Sequence, residues 1–259
     1  INAGGSPCGA RPKVLVGVFK DQVVSGETDM VAPLEHWIIK FPAEDEFPDA
    51  GPVEYAYALM AREAGITMSE TRLFNTPEGD RFFGIKRFDR IANQRLHMHT
   101  FGNLIHSNFR LPSQDYDHLF KIVINLTQNH QDLLRAFRQM VFNVLANNRD
   151  DHVKNFSFLM NYQGEWSLSP AYDLTYSPGP GGEHSMTVLG EGKAPGKAEI
   201  YKLGEKHGIK KKAVVKIVDE VFEAVANFSN HADMAGISQT TFKKVFSKLK
   251  HNLDRLRRG

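Results

Sequence analysis

The sequence predicts an α+β fold in two lobes, a small β-rich lobe over residues 1–90 and a larger, mainly helical lobe over 91–259. Short β-rich runs joined by Gly-containing turns fill the first third. Long apolar stripes of period 3.6 fill most of the rest. The two parts cross near residues 88–92, and clefts between such lobes are preferred small-molecule sites.

Val14 to Phe19 (VLVGVF) and His36 to Phe41 (HWIIKF) read as strands on either side of the polar stretch Ser25-Gly26-Glu27. Pro42 and the acidic residues after it close the second. A helix is expected from Val53 to Ala64, with Ala56, Leu59 and Met60 on one face and Gly65 as its stop. Thr71 to Phe74 and Arg81 to Phe88 form a hairpin around Pro77-Glu78-Gly79. His130 to Asn147 carries the stripe Leu133, Phe137, Met140, Val141, Val144 and Leu145, with Asn129 as cap and Asp132 three residues on. Two further stripes, Val214 to Phe228 and Phe242 to Leu256, read as core. Ahead of those two stripes, Ser177 to Lys197 is rich in Gly and Pro and reads as a long mobile loop.

Composition excludes several classes. With 32 basic and 30 acidic residues the net charge is +2, which argues against a dedicated nucleic-acid binder. No apolar run reaches the ~18 residues of a membrane span, and no secretion signal opens the chain. A single cysteine, Cys8, cannot form an internal disulfide, which fits a reducing, cytoplasmic location. Cys8 reads as a small residue in a tight loop rather than a reactive thiol. The eleven histidines show no zinc-site spacing. Because the first residue is Ile, already within a Gly-rich segment, further residues are expected ahead of it.

The sharpest signal is Asn148-Arg149-Asp150-Asp151-His152-Val153-Lys154-Asn155, delivered by the long helix and followed at once by strand-like Phe156 to Met160. Protein-kinase catalytic loops carry H-R-D-x-x-x-x-N. Here Asn148 stands in place of the leading His. Asp150 would accept or orient the proton of an attacking hydroxyl. Asn155 would offer an oxygen to magnesium, which prefers hard oxygen ligands. A hairpin through Asn161-Tyr162-Gln163-Gly164 then leads to Asp173, the expected second magnesium ligand, although Leu174-Thr175 replaces the usual Phe-Gly. The competing reading makes Asp150 a turn or cap residue.

Lys40 ends an apolar strand, as a phosphate-contacting lysine does; alone it would read as a strand-end surface lysine. The Gly-rich run Gly4 to Gly9 could offer backbone N–H groups to phosphates. Glu54 either pairs with Lys40 or, the preferred reading, serves as a first-turn acid favouring the helix dipole.

Taken together these residues resemble the HipA-like kinase family, the toxin kinases of bacterial toxin–antitoxin pairs. Ser6 to Lys13 resembles the family's S-x-x-G-A-x-P-K phosphate loop, and Trp37 to Pro42 its lysine strand. Glu54-Tyr55 with Gly65-Ile66 resembles its first helix, Ile85 to Arg90 its R-F-D-R hinge, Asp150 to Ser157 its D-G-H-A-K-N-F-S loop, and Pro170 to Asp173 its P-x-Y-D. The resemblance implies a two-lobed protein-kinase-like fold, with the phosphate loop and ATP lysine in 1–90 and the catalytic and metal-binding segments in 91–259. It implies ATP contacts by Lys40, Ser6, Cys8, Gly9, Arg87, Phe88, Asp89, His152 and Tyr172, with Phe88 at the adenine, Asp89 near the ribose, and His152 and Tyr172 close to the phosphates. Ser6 would be an autophosphorylated serine that switches the kinase off.

The implied activity is an ATP- and Mg2+-dependent serine/threonine protein kinase, a toxin acting on a translation-related protein such as an aminoacyl-tRNA synthetase. Its implied partner is a helix-turn-helix antitoxin of HipB type, through which it meets operator DNA. The family's N-terminal subdomain is missing ahead of the phosphate loop, so the chain is either part of a longer protein or served by a separate N-terminal polypeptide. Asp151 replaces the usual Gly and would add a carboxylate beside the base, and Lys86 stands where the hinge often has an acid. A catalytically impaired antitoxin corepressor and a small-molecule kinase are the alternatives.

Overall fold

The computed structural model describes residues 11–26, 32–43, 49–91, 94–107 and 114–258. Ser6, Cys8 and Gly9, with the expected phosphate-loop roles, lie outside the described residues. The N-terminal part is a five-stranded antiparallel sheet of order β2-β1-β3-β5-β4, built from β1 (Lys13–Phe19), β2 (Gln22–Ser25), β3 (Glu35–Lys40), β4 (Thr71–Asn75) and β5 (Arg81–Lys86). Strand alternation divides its faces. Val14, Val16, Val18, Trp37 and Ile39 make one small core, covered by Phe41, Phe74 and Phe82. Ile38, Phe83 and Ile85 line the opposite face, against helix α1 (Ala50–Glu63).

That helix belongs equally to the helical part. Val53, Ala56, Tyr57, Met60 and Ala61 are fully buried in the main core. Tyr57 sits edge-on to Phe142 and Phe228 and donates its hydroxyl to the Ala146 carbonyl at 2.5 Å. Gly51 brings the start of α1 against β5, where a Cβ would come within 2.4 Å of the Arg81 carbonyl oxygen. At the other end Gly65 stands at φ 74° while Gly65 N–H and Ile66 N–H donate to the Arg62 and Ala61 carbonyls. This is a Schellman stop, as Gly65 predicts.

Beyond the sheet come β6 (Arg90–Ile91), β7 (Gln94–Arg95), β8 (His97–Thr100), α2 (Phe101–Leu104), β9 (Gln114–Asp115) and α3 (Tyr116–Thr127). Helix α4 (His130–Leu145) follows, capped by the Asn129 side chain accepting from Gln131 N–H. Asp132 does not join that cap; it accepts from Leu168 N–H and Arg135, fixing the next hairpin to α4. That hairpin is β10 (Ser157–Met160) and β11 (Trp166–Leu168), with β8 on its other edge. Strand β12 (Met186–Thr187) and helices α5 (Lys197–Lys206), α6 (Lys211–Ala226), α7 (Phe228–Ala235) and α8 (Gln239–Arg258) complete the chain.

The reading of Ser177 to Lys197 as a mobile loop is corrected. Met186 and Val188 are fully buried, β12 pairs in parallel with β9, and the glycines serve close packing. A Cβ on Gly179 would lie 2.0 Å from the Glu183 carbonyl oxygen and 2.6 Å from Arg149 Cβ. Helix α3, which the sequence patterning does not single out, supplies Leu119, Phe120 and Val123 to the core.

Tyr57→Phe should leave the buried Ala146 carbonyl without that donor and cost about 1–2 kcal/mol. Denaturant melts of the two proteins check this, with the fold unchanged by circular dichroism.

Candidate active site

Lys40 reaches the site because β3 alternates: with Trp37 and Ile39 in the outer core, Lys40 turns toward α1. Its direct cross-strand neighbour is Lys13, so two ammonium groups share one patch of sheet. Like charges so opposed are unfavourable unless anions balance them. Two carboxylates do so. Lys40 Nζ donates to Glu54 Oε1 at 2.5 Å and also to Asp173 Oδ1, while Arg11 Nη1 donates to Glu54 Oε2 at 2.5 Å. Burial by itself would lower the Lys40 pKa, but Asp173 and Glu54 outweigh it and hold the ammonium above its ordinary value. For Lys13 burial prevails, Lys40 adds to it, and the pKa is lowered despite Asp173.

This corrects the preferred reading of Glu54. Helix α1 begins at Ala50, so Glu54 lies past the first turn, 1% exposed, and pairs with Lys40.

Asp173 approaches from the other side. Ala171 N–H donates to the Thr67 carbonyl, which ties the segment to the end of α1. Asp173 itself stands at φ 58°, a left-handed conformation that few non-glycine residues adopt and that often marks a functional position. Its side chain is 39% exposed. Desolvation works to raise its pKa, yet the charge and hydrogen bond of Lys40, helped by Lys13 and His152, bring the carboxyl down to about 2.

The loop from Asn148 to Asn155 leaves α4 with Asp150 exposed and Asp151 turned inward. Desolvation, then the charges of Asp173 and Asp151, raise the Asp150 pKa against the pull of His152 and Lys40. His152 Nε2 lies 3.9 Å from Asp150 Oδ1. Asn155 donates its amide N–H to the Asp150 carbonyl at 2.7 Å, which leaves the amide oxygen as the free acceptor. Asn155 Oδ1 and the Asp173 carboxylate are the hard donors that magnesium takes. Among the described residues no three His, Cys, Asp or Glu side chains converge as a metal cage, so an ion held here would complete its shell with phosphate oxygens and water.

Asp151 does not add a carboxylate to the cleft as expected. It is fully buried and accepts from Tyr116 Oη at 2.7 Å, His184 Nδ1 at 2.9 Å and Ser185 N–H at 2.8 Å. Asn143 donates to Tyr116 Oη at 2.9 Å, and Asn148, in the place of the motif's His, donates to Asn143 Oδ1 at 3.0 Å. Arg149 donates to the carbonyls of Gly182 and Lys193.

At the hinge, Arg87 N–H donates to the His36 carbonyl at 2.8 Å. The Arg87 guanidinium grips Asp89 through two bonds, at 2.8 and 2.6 Å, and Arg90 donates to the same carboxylate at 2.7 Å. Burial opposes ionisation of Asp89, but the two arginines prevail and lower its pKa. The Phe88 ring meets the Tyr172 ring at 5.6 Å, so the Arg87–Arg90 turn and the segment leading to Asp173 touch through aromatics. Tyr172 Oη is engaged by the Lys154 carbonyl at 2.6 Å and Ser157 Oγ at 2.5 Å. Lys86, in the hinge, pairs with Glu35.

Sequence reasoning passed over Arg11 and Lys13 as site charges, although both lie in the quoted phosphate-loop motif. Strand register would have found Lys13 opposite Lys40. Tyr116, Asn143 and His184 carry no local signal, since each acts across long sequence separation.

Fold and site together define a two-lobed, protein-kinase-like α+β protein. The sequence matches the HipA-like C-terminal domain over residues 5–228, and the chain belongs to that family. A protein of Sinorhizobium fredii named "Putative kinase Y4dM" is 28% identical over 153 residues, 53% of this chain and 36% of that protein. A "Putative kinase" of Haemophilus influenzae is 28% identical over 194 residues, 68% of this chain and 54% of its own length. The chain thus spans about half or less of these curated relatives. Among solved structures, HipA of Shewanella oneidensis, determined with HipB and operator DNA, superposes with a TM-score of 0.73 at 15% identity, covering 99% of this chain and 65% of that one. The Helicobacter pylori proinflammatory kinase CtkA superposes at 0.59 with 13% identity, covering 88% and 90%. At those identities the likeness is one of fold.

Removing Glu54 leaves Lys40 with Asp173 as its remaining carboxylate partner and takes the carboxylate from Arg11. Glu54→Ala should cost about 3–5 kcal/mol, and adding Lys40→Met should recover part of the loss; a double-mutant cycle in urea checks the coupling. Asp173, with a depressed pKa, contributes stability that is full above the ordinary carboxylate value and lost as pH falls through about 2. Carboxyl NMR titration should place it there, and Lys40→Met should move it upward.

Proposed function

We propose that this chain is the catalytic part of an ATP-dependent serine/threonine protein kinase. The observation that carries the reading is Lys40 held between Glu54 and Asp173, close enough to Asp150 that the charges of Lys40 and Asp173 both act on its carboxyl. A lysine so placed, with Lys13 beside it, is preset to receive anionic phosphates: an incoming nucleotide takes over the Lys40 contact and frees the Asp173 carboxylate. Asn155 and Asp173 would hold Mg2+, which when bound neutralises phosphate charge.

The remaining steps belong to the chain's own groups. The acceptor hydroxyl oxygen forms a bond to the γ-phosphorus as the bond to the ADP oxygen breaks. Asp150, exposed and with a raised pKa, takes the hydroxyl proton. Lys40 and Lys13 face the transferred charge. Arg87, Phe88 and Asp89 lie at the hinge, where the base and ribose of ATP would sit, and Ser6 is proposed as a site of self-phosphorylation that ends activity by placing about two negative charges among groups meant for nucleotide phosphates. Membership of the HipA-like family and the HipB–operator complex of the Shewanella protein support a toxin role with a HipB-type antitoxin as partner; a translation protein is proposed as the substrate.

Purified protein given labelled ATP and magnesium should incorporate phosphate, in part at Ser6. Asp150→Ala should reduce this by about 10²–10⁴-fold, and undiminished labelling of that variant would remove Asp150 from the reaction. Because the base works ionised, the rate should fall on the acid side as pH drops through the raised Asp150 pKa, at a higher pH than an ordinary aspartate would give.

A further inference from the structure

The residue after the proposed base is the most heavily engaged carboxylate of the catalytic loop, and nothing in the reaction above uses it. Asp151 is 0% exposed. Oδ2 accepts from Tyr116 Oη and His184 Nδ1, and Oδ1 accepts from Ser185 N–H at 2.8 Å with Met186 N–H at 3.4 Å. All of these donors belong to other elements: Tyr116 opens α3, and residues 184–186 belong to the segment that follows Asp173. A glycine here, as in the motif this loop resembles, would supply none of those bonds.

The same segment is held by further contacts, among them two from Ser185, whose N–H and Oγ donate to the Arg149 carbonyl at 3.1 and 3.0 Å. Arg149 donates to the carbonyls of Gly182 and Lys193, on either side of His184. Asp115 accepts from Thr187 Oγ1 at 2.6 Å and from Gly190 N–H at 2.8 Å. Arg255 of α8 donates to the Pro195 carbonyl at 3.0 Å. The guanidinium of Arg149, next to the base on its other side, is therefore committed to backbone carbonyls. Asp150 thus sits between two residues that both grip one segment, while Asn155 fixes its carbonyl.

We infer that Asp151 is a positioning residue: its buried carboxylate clasps residues 184–186 to the catalytic loop, so that base and acceptor platform are assembled in the ground state without any modification of the segment. The platform is the surface that a polypeptide hydroxyl would meet beside Asp150, and this assignment rests on the kinase reading. Its physical basis does not. Four donors converge on one carboxylate in the interior; Tyr116 Oη and His184 Nδ1 lose that acceptor if the group is removed, while Ser185 N–H keeps its longer bond to the Arg149 carbonyl at 3.1 Å.

The test uses the full chain with Asp151→Asn, Asp151→Gly, His184→Ala and His184→Asn. An asparagine amide N–H can stand where His184 Nδ1–H stands, so His184→Asn is the rescuing variant. Two readouts are taken: brief trypsin digestion scored at Lys193 and Lys197, and steady-state phosphotransfer with kcat separated from KM for ATP. The Asp151 variants and His184→Ala should be cut at least about tenfold faster. Their kcat should fall by about 10–100-fold, the scale of a misplaced catalytic group, with KM for ATP within about twofold of the parent. His184→Asn should recover most of both. Parental kcat and cleavage rate in folded Asp151→Gly would overturn the inference, as would equal effects of His184→Ala and His184→Asn. Should Asp151→Gly fail to fold, the His184 pair decides. If the parent transfers no phosphate to any acceptor, the kinase reading fails, and the clasp is then judged on proteolysis alone.

Discussion

Everything in the cleft depends on keeping a buried ammonium charged. Lys40 is 6% exposed and faces Lys13 across the ladder, an arrangement that would expel a proton were it not bracketed by Glu54 and Asp173. Each of the three comes from a different place: a central strand, the helix beneath the sheet, and the segment beyond the β10–β11 hairpin. The electrostatic requirement therefore becomes a geometric one. Sheet, α1 and helical part have to meet at one point, and Arg11, gripping the second oxygen of Glu54, closes the set. A buried ion pair is a poor source of net stability, which agrees with the anion-receiving role proposed for this cluster.

Behind this cluster the catalytic loop is stiffened by a row of polar groups running from Asn148 through Asn143 and Tyr116 to Asp151 and His184. Burial and the nearby Asp151 charge push the Tyr116 phenol well above its usual range, so it remains a donor. One orphan persists: the buried Asn148 Oδ1 meets no donor among the described residues. The loop thus presents one carboxylate to the cleft and uses its neighbour entirely for support.

Much of this could be read from sequence where the signal was local. The alternation in Trp37-Ile38-Ile39-Lys40, the stripe of α4, Gly65 as a stop and the spacing of Asp150 to Asn155 all depend on neighbours within a few residues. What escaped depended on distant ones. Glu54 looked like a first-turn acid because the helix start was placed three residues late, at Val53 rather than Ala50. Asp151 looked like a cleft residue because its partners, Tyr116 and His184, are more than thirty positions away. The Gly/Pro-rich stretch looked mobile because glycine signals freedom and tight approach alike, and Gly179 against Arg149 is the second kind.

Helix α1 has a consequence for how such a cleft can open. Its apolar face is sunk in the same core as α4, α6 and α7, Tyr57 is bonded to the end of α4, and Arg81 reaches from β5 to the carbonyls of Ala235 and Gly236. Glu54 and Asp173 are therefore carried on one rigid jaw, and Lys40 arrives on the sheet like a tongue laid between them. In the proposed kinase, any widening of the cleft would fall to the sheet that carries Lys40, since Glu54 and the Asp173 segment are tied to the helical core.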